Sequence, residues 1–157
     1  MTVLDMFQLH DKVAVVTVAS SGPGVHFAQA LTEVGADVEL AASRADQLEA
    51  TKQLVEKTGR RAISVPTDVS DPADCQALVD LAMRELGRVD VFVNSAGVGA
   101  SVPATRDTTE LFRSVVDVNL NGCYWMAQGC GGVMQPGSII NISSALGPTT
   151  LSLPQAA

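Results

Sequence analysis

A chain of 157 residues with 17 acidic against 10 basic side chains carries a formal net charge of −7. That length suits one domain, and that sign argues against a nucleic-acid or anionic-membrane surface. Hydrophobic residues make up 46% and charged residues 17%, which supports a proper core and excludes intrinsic disorder. No apolar run approaches the ~20 residues of a membrane span, and the start of the chain lacks the basic and apolar regions of a signal peptide. Cys75, Cys123 and Cys130 contain no Cys-x-x-Cys pair, and with His10 and His26 they make no zinc-ligand pattern. The expectation is a reducing, cytoplasmic setting with no metal, no nucleic acid and no membrane.

In chain order, Lys12 to Thr17 (KVAVVT) reads as a strand buried on both faces. A Ser/Gly-rich turn follows, then a helix over Val25 to Val34 that Gly35 is placed to end. Asp37 to Ala41 is a second strand, Ala45 to Thr58 a second helix stopped by Gly59, and Ala62 to Val65 a third strand closed by Pro66. Asp71-Pro72 has the N-cap-then-Pro form of a helix start, and Gly87 ends that helix. Val89 to Val93 is a fourth strand and Val98 to Pro103 a loop. Two helices are expected over Thr105 to Asn119 and Gly122 to Met134, the second weakened by Gly129, Gly131 and Gly132. Ser138 to Ile142 is a fifth strand and Gly147 to Ala157 a small-residue tail, so one flank of the sheet is expected to lack its covering helix. Alternating strands and helices predict an α/β domain with a parallel sheet, and no repeat or linker divides it.

The first strand runs directly into Thr17-Val18-Ala19-Ser20-Ser21-Gly22-Pro23-Gly24 and then a helix. Glycines there let the backbone approach a pyrophosphate, and the helix N-terminus offers N–H groups and a positive dipole end. A Gly-x-Gly also marks ordinary strand-to-helix turns, and that reading stays open. About 20 residues on, where an acidic residue would hold a ribose 2′-hydroxyl, stand Ala41, Ala42, Ser43 and Arg44, with Glu39 one pleat earlier inside the strand. An arginine at this edge accommodates a 2′-phosphate instead. The alternative is a solvated first-turn residue of the next helix.

These segments resemble the short-chain dehydrogenase/reductase family. KVAVVTVASSGPG resembles its first strand and Thr-Gly-x-x-x-Gly-x-Gly turn. Thr67-Asp68-Val69 resembles the Asp-Val after the third strand, and Asn94-Ser95-Ala96-Gly97 resembles the Asn-x-Ala-Gly that ends the fourth. Val118-Asn119-Leu120 resembles the segment of the active-site asparagine, and Ile140-Asn141-Ile142-Ser143-Ser144 resembles the fifth strand with its catalytic serine. The resemblance covers nearly the whole chain. It implies a doubly wound, Rossmann-like parallel sheet of five strands in the order 3-2-1-4-5, flanked by helices. It further implies a single dinucleotide-binding domain over residues 1–157, shortened at its C-terminal side.

By the same resemblance, Thr17, Ser20, Ser21, Gly22, Gly24, Ser43, Arg44, Asp68, Val69, Asn94, Ala96 and Gly97 would bind the cofactor. That cofactor would be NADP rather than NAD. Ser144 would orient a carbonyl, and Asn119 would anchor a proton-relay water. The implied reaction is hydride transfer between NADP(H) and a small secondary alcohol or ketone, in a homo-oligomeric enzyme. For Asp68 the plain alternative is a turn cap, for Asn94 and Asn119 a satisfied core amide, and for Ser144 an inert hydroxyl. Asn141-Ile142-Ser143 matches a glycosylation acceptor, which its strand position makes accidental.

Three departures stand out. Val18 replaces the first turn glycine, at a position where a β-branched side chain fits poorly if φ is positive. Pro23 deletes one N–H from the phosphate turn, and a charge-assisted bond of roughly 1.5–3 kcal/mol corresponds to about 10- to 100-fold in affinity. Cofactor binding is therefore expected to be impaired. Finally, the acid/base Tyr-x-x-x-Lys is expected about a dozen residues past Ser144 and does not occur in these 157 residues; Tyr124, the only tyrosine, precedes Ser144. The chain alone is expected to be inactive. The alternative function is a non-catalytic Rossmann-type binding or interaction protein. A Ser-His-Asp hydrolase fails, because Gly99-Ala100-Ser101-Val102-Pro103 lacks the closing glycine of a nucleophile elbow.

Overall fold

Short β-branched runs, apolar on both faces, assemble the centre of the molecule. In the computed structural model, which describes residues 2–99 and 102–144, these are β1 (Val13–Thr17), β2 (Asp37–Ala42), β3 (Ala62–Pro66), β4 (Val91–Asn94) and β5 (Ser138–Asn141). They pair in parallel in the order β3-β2-β1-β4-β5, the doubly wound order expected. The connecting helices are α1 (Pro23–Glu33), α2 (Ala45–Glu56), α3 (Pro72–Glu85), α4 (Thr109–Val116) and α5 (Cys123–Val133). The tail over Gly147 to Ala157 and part of the loop over Val98 to Pro103 lie outside the described residues.

Strand alternation sorts the core into two layers. Ala14, Val16, Val38, Leu40 and Val93 meet Ala28 of α1 and Leu48 and Val55 of α2 on one face. Val15, Ala41 and Phe92 meet Cys75, Leu78, Val79 and Ala82 of α3 and Met126 and Cys130 of α5 on the other. Glu39 is also fully buried, and neither of its carboxylate oxygens has a hydrogen-bond partner. β5 is the uncovered flank anticipated from the sequence: its four residues are exposed, Ile139 and Ile140 among them, as is Ile142 just beyond.

The helix boundaries follow local chemistry, and they differ from expectation at the start of α1, which is Pro23 rather than Val25, and in the α4–α5 region. Asp71 caps α3 by accepting from the Ala73 N–H at 2.8 Å, with Pro72 at the first helical position. The helix expected from Thr105 begins only at Thr109, because Thr108 Oγ1 accepts the Leu111 N–H at 3.1 Å and fixes the cap there. Ala104–Arg106 is a separate short 3-10 turn. No break separates the two expected helices. α4 passes into α5 through a π-helical turn, Asp117–Gly122, which carries Asn119. Two glycines of this run permit its packing: a Cβ on Gly122 of the π-turn would lie 2.7 Å from the Val69 carbonyl oxygen, and one on Gly129 of α5 3.1 Å from Val79 Cγ2, whereas Gly131 and Gly132 meet no close neighbour. An unanticipated 3-10 turn, Leu4–Phe7, precedes β1.

At the N-terminal edge of the sheet two acids tie strands to their neighbours. Asp37 holds Arg60 at 2.8 Å, and the side chain and backbone N–H of Arg61 at 2.9 and 3.0 Å. Asp90 accepts from the Val13 N–H at 3.0 Å, from Arg88 at 2.6 and 2.7 Å and from Lys12 at 3.1 Å. Burial pushes the Asp90 carboxyl up, and the bonds from Arg88, Val13 and Lys12 more than offset this and hold it below the usual range. Its stabilisation is thus present above the ordinary aspartate value and lost as pH falls through the depressed one. Asp90→Ala strands the Val13 N–H in the core, so unfolding by urea at pH 7 should cost about 1–3 kcal/mol less than in the unaltered protein. As pH falls through the depressed value of Asp90, the gap between the two stability curves should narrow, because the bonds from Arg88 and Lys12 lose their charge assistance.

Candidate functional site

In an open parallel sheet the C-terminal strand ends form the crevice where ligands bind, and nearly every residue singled out above gathers there. After β1 the chain turns through Val18 at φ 56° and Gly22 at φ 57° before entering α1. Gly22 suits that conformation, whereas Val18 holds it against the clash of its own Cβ. Gly24 has no room for a side chain: a Cβ would come within 2.2 Å of the Val18 carbonyl oxygen. Pro23 opens α1, where its fixed φ fits but its N–H is missing. The α1 N-terminus therefore packs directly against the backbone of the turn.

Arg44 stands at the other side of this turn, at the junction of β2 and α2. Its guanidinium donates from Nη2 to Ser21 Oγ at 2.7 Å and to Ser20 Oγ at 3.4 Å. It is exposed and at the same time tethered to the phosphate-type turn. Glu39 points away from this edge into the core.

Beneath the turn lies a cleft of about 130 Å³ whose walls include Val18, Ser43, Asp68, Val69, Ala96 and Gly97. Asp68 Oδ1 accepts from the side chain and backbone of Ser70 at 2.7 and 2.9 Å, and these bonds hold its carboxyl below the usual range. Asp68 therefore does cap a turn, and it presents a carboxylate to the cleft while doing so.

A chain of polar side chains spans the ends of three adjacent strands, β1, β4 and β5. Thr17 Oγ1 accepts the N–H groups of Ser95 and Ala96 at 2.9 and 3.2 Å and lies 3.3 Å from Asn94 Oδ1. Asn94 Nδ2 donates to Asn141 Oδ1 at 3.1 Å, across the register that pairs the two residues. Cys123 Sγ lies 3.4 Å from the same oxygen. Asn119 grips the backbone of Val98 twice, accepting its N–H at 2.8 Å and donating to its carbonyl at 2.9 Å. The Asn141 and Cys123 roles escaped the sequence reading. Nothing in single-sequence spacing shows that a strand-end amide and a residue 18 positions earlier on a helix share one acceptor.

Ser144 follows β5 at the same edge and is exposed. Tyr124 is exposed on α5, edge-on to Trp125 with ring centroids 5.0 Å apart. Among the described residues no His/Cys/Asp/Glu group is arranged to hold a metal, and no helix is long and apolar enough to cross a membrane. The turn makes a sharp prediction. In Gly24→Ala a backbone oxygen obstructs the new methyl, so the variant should lose at least about 2 kcal/mol of stability in a urea titration.

Residues 12–154 match the short chain dehydrogenase family. The chain is 39% identical over 144 residues to an uncharacterised oxidoreductase of Methylorubrum extorquens, covering 90% of this chain and 58% of that one. The structure of a short chain dehydrogenase from Burkholderia cenocepacia in complex with NADP superposes with a TM-score of 0.90 at 28% identity, covering 94% of this chain and 61% of that one. A 7α-hydroxysteroid dehydrogenase complexed with NADH and 7-oxo glycochenodeoxycholic acid gives a TM-score of 0.91 at 27% identity, covering 96% and 60%. The chain thus spans less than two-thirds of the length of these proteins. With the strand order, the phosphate-type turn and the strand-end motifs all in one register, the chain belongs to the short-chain dehydrogenase family.

Proposed function

We propose that this chain is the cofactor-binding portion of an NADP(H)-dependent oxidoreductase acting on a small secondary alcohol or ketone. The observation that carries the NADP preference is the Arg44 guanidinium bonded to Ser21 and Ser20 at the turn, with no carboxylate at the end of β2 to take a ribose 2′-hydroxyl. The family includes a neighbour complexed with NADP and another complexed with NADH, so the choice rests on this chain's own residues. Bound nicotinamide would supply or accept the hydride. The residues of this chain bind and orient. Ser20, Ser21 and Arg44 would hold a 2′-phosphate, with Ser43 beside them. Gly22 and Gly24 would let α1 approach the pyrophosphate. Asp68 and Val69 would face the adenine, and Thr17, Asn94, Ala96 and Gly97 would form the wall of the cleft.

Asn119 would anchor a water and Ser144 a substrate carbonyl. No residue here supplies the Tyr-x-x-x-Lys acid/base pair, so the 157 residues alone are expected to reduce no carbonyl. The exposed side chains Phe112, Leu120 and Tyr124 along the α4–α5 run fit a homo-oligomer contact, in a single cytoplasmic domain. Val18 and Pro23 favour a second reading, a Rossmann-type interaction protein that no longer binds nucleotide. That reading predicts no NADPH binding at any concentration.

Titrating the chain with NADPH and NADH by fluorescence separates these. Arg44→Ala should weaken NADPH about 10- to 100-fold and leave NADH within a factor of about three; equal losses for both would remove the 2′-phosphate role. Val18→Gly should tighten both dinucleotides by opening the cleft. Its stability should change by less than about 1 kcal/mol, because relief of roughly 1–2 kcal/mol of left-handed strain is largely offset by the entropy glycine adds to the unfolded chain.

A further inference from the structure

Glu39 is a different kind of residue from the acids of the sheet's other edge. It sits in β2 between Val15 of β1 and Ile63 of β3, and alternation turns it, with Ala41, toward α3 and α5. Asp37 and Asp90 are also buried, but both hold arginines and backbone N–H groups. Glu39 has zero exposure and no partner on either oxygen. The titratable groups facing its layer are the buried thiols of Cys75 on α3 and Cys130 on α5. Asp74, Asp80, Arg84 and Glu85 on α3 and Tyr124 on α5 are exposed, Cys123 of α5 is half-buried beside Asn141, and β1 and β3 carry no titratable side chain. No cation is available to it. Burial alone pushes Glu39 up to about 8. Burial, the nearby Glu39 charge and Cys75 push Cys130 up to about 12.

An ionised carboxylate without a partner in an apolar layer must either take a proton or reach water. Of the two helices on this layer, α5 is the one whose buried thiol, Cys130, feels the Glu39 charge. That helix contains Gly129, Gly131 and Gly132, so it holds its place by packing on α3 and the sheet rather than by its own propensity. At its N-terminal end it continues into the π-turn that carries Asn119 and the cleft residue Val118. We propose that Glu39 is a proton-operated latch: its neutral carboxyl leaves α5 seated, and loss of the proton to solvent lifts α5 and the attached π-turn from the sheet. The Asn119 grip on Val98 would loosen in the lifted state, making nucleotide binding weaken as pH rises.

Cys130 reports the lifting directly, since it is fully buried on α5. Its alkylation by iodoacetamide is measured from pH 5.5 to 7.5, at concentrations where rate is proportional to reagent, with N-acetylcysteine as reference. A free thiol reacts about tenfold faster per pH unit, following its thiolate fraction. If opening also releases the Glu39 proton, the opening constant rises about tenfold per unit between 4.5 and 8 as well. The expected rise for Cys130 is therefore about a hundredfold per pH unit. In Glu39→Leu it should fall to the tenfold rise of the free thiol. Glu39→Gln, which keeps the side-chain shape should the leucine variant fold poorly, should show the same. The dependence on urea below its unfolding range should be nearly flat, as for a local opening. A tenfold slope in the unaltered protein, a hundredfold slope in either variant, or a urea dependence as steep as global unfolding each overturns the latch.

Discussion

The hydroxyl of Thr17 is the point on which the site depends. It ends β1, and by accepting two consecutive N–H groups from Ser95 and Ala96 it bends the chain leaving β4 across the top of the sheet. That bend brings Ala96 and Gly97 to the cleft wall opposite Val18. Through Asn94 the same constraint passes to Asn141 and thus to the strand that delivers Ser144. Backbone pairing sets strand spacing, but it leaves the strand ends free to splay. These side-chain bonds, buried from Thr17 to Asn94, lock three ends into one rim, and a buried network of this kind is stable only when every member is bonded.

The phosphate-type turn shows a conflict between two requirements. α1 must lie close to the turn for its N–H groups to face a phosphate, and Gly24 meets that by leaving no side chain against the Val18 carbonyl. Val18 meanwhile holds a positive φ of 56°. A glycine there would satisfy both demands. Valine satisfies only the first, at a cost in strain and in cleft volume. Pro23 makes a similar exchange, fitting the helix start while removing a donor. Neither residue disturbs the fold, because both lie in the turn outside the two apolar layers.

Nearly every element was legible because β-branched runs and helical spacing report burial directly, and β2 or α3 could be bounded within a residue or two; the strand order came from the family resemblance, since periodicity does not say which strands are neighbours. The polar positions of the rim were legible through their motifs. The α4–α5 run was not, since a π-turn needs a tertiary reason. Here that reason is Gly122 seated on the Val69 carbonyl, a contact between segments 53 positions apart that no local pattern reveals. The Cys123–Asn141 contact was hidden for the same cause. Glu39 was recognised as lying inside its strand, but sequence alone could not say that it would find no partner there.

That orphaned carboxyl bears on why α5 is built as it is. With alanine or leucine in place of its glycines, α5 would give up more by lifting and would resist exposing Glu39 against the penalty of burying a charge. With Gly129, Gly131 and Gly132 in only 11 residues it has little intrinsic stability to lose, so the penalty can be met by local motion rather than by global unfolding. Folding free energy should then decline from pH 4.5 toward 8 by less than the roughly 5 kcal/mol that a rigid burial of this group would impose. The difference is the part of the cost that opening relieves. Because α5 is continuous with the turn bearing Asn119, the same motion joins the core of the sheet to the rim where the cofactor would lie.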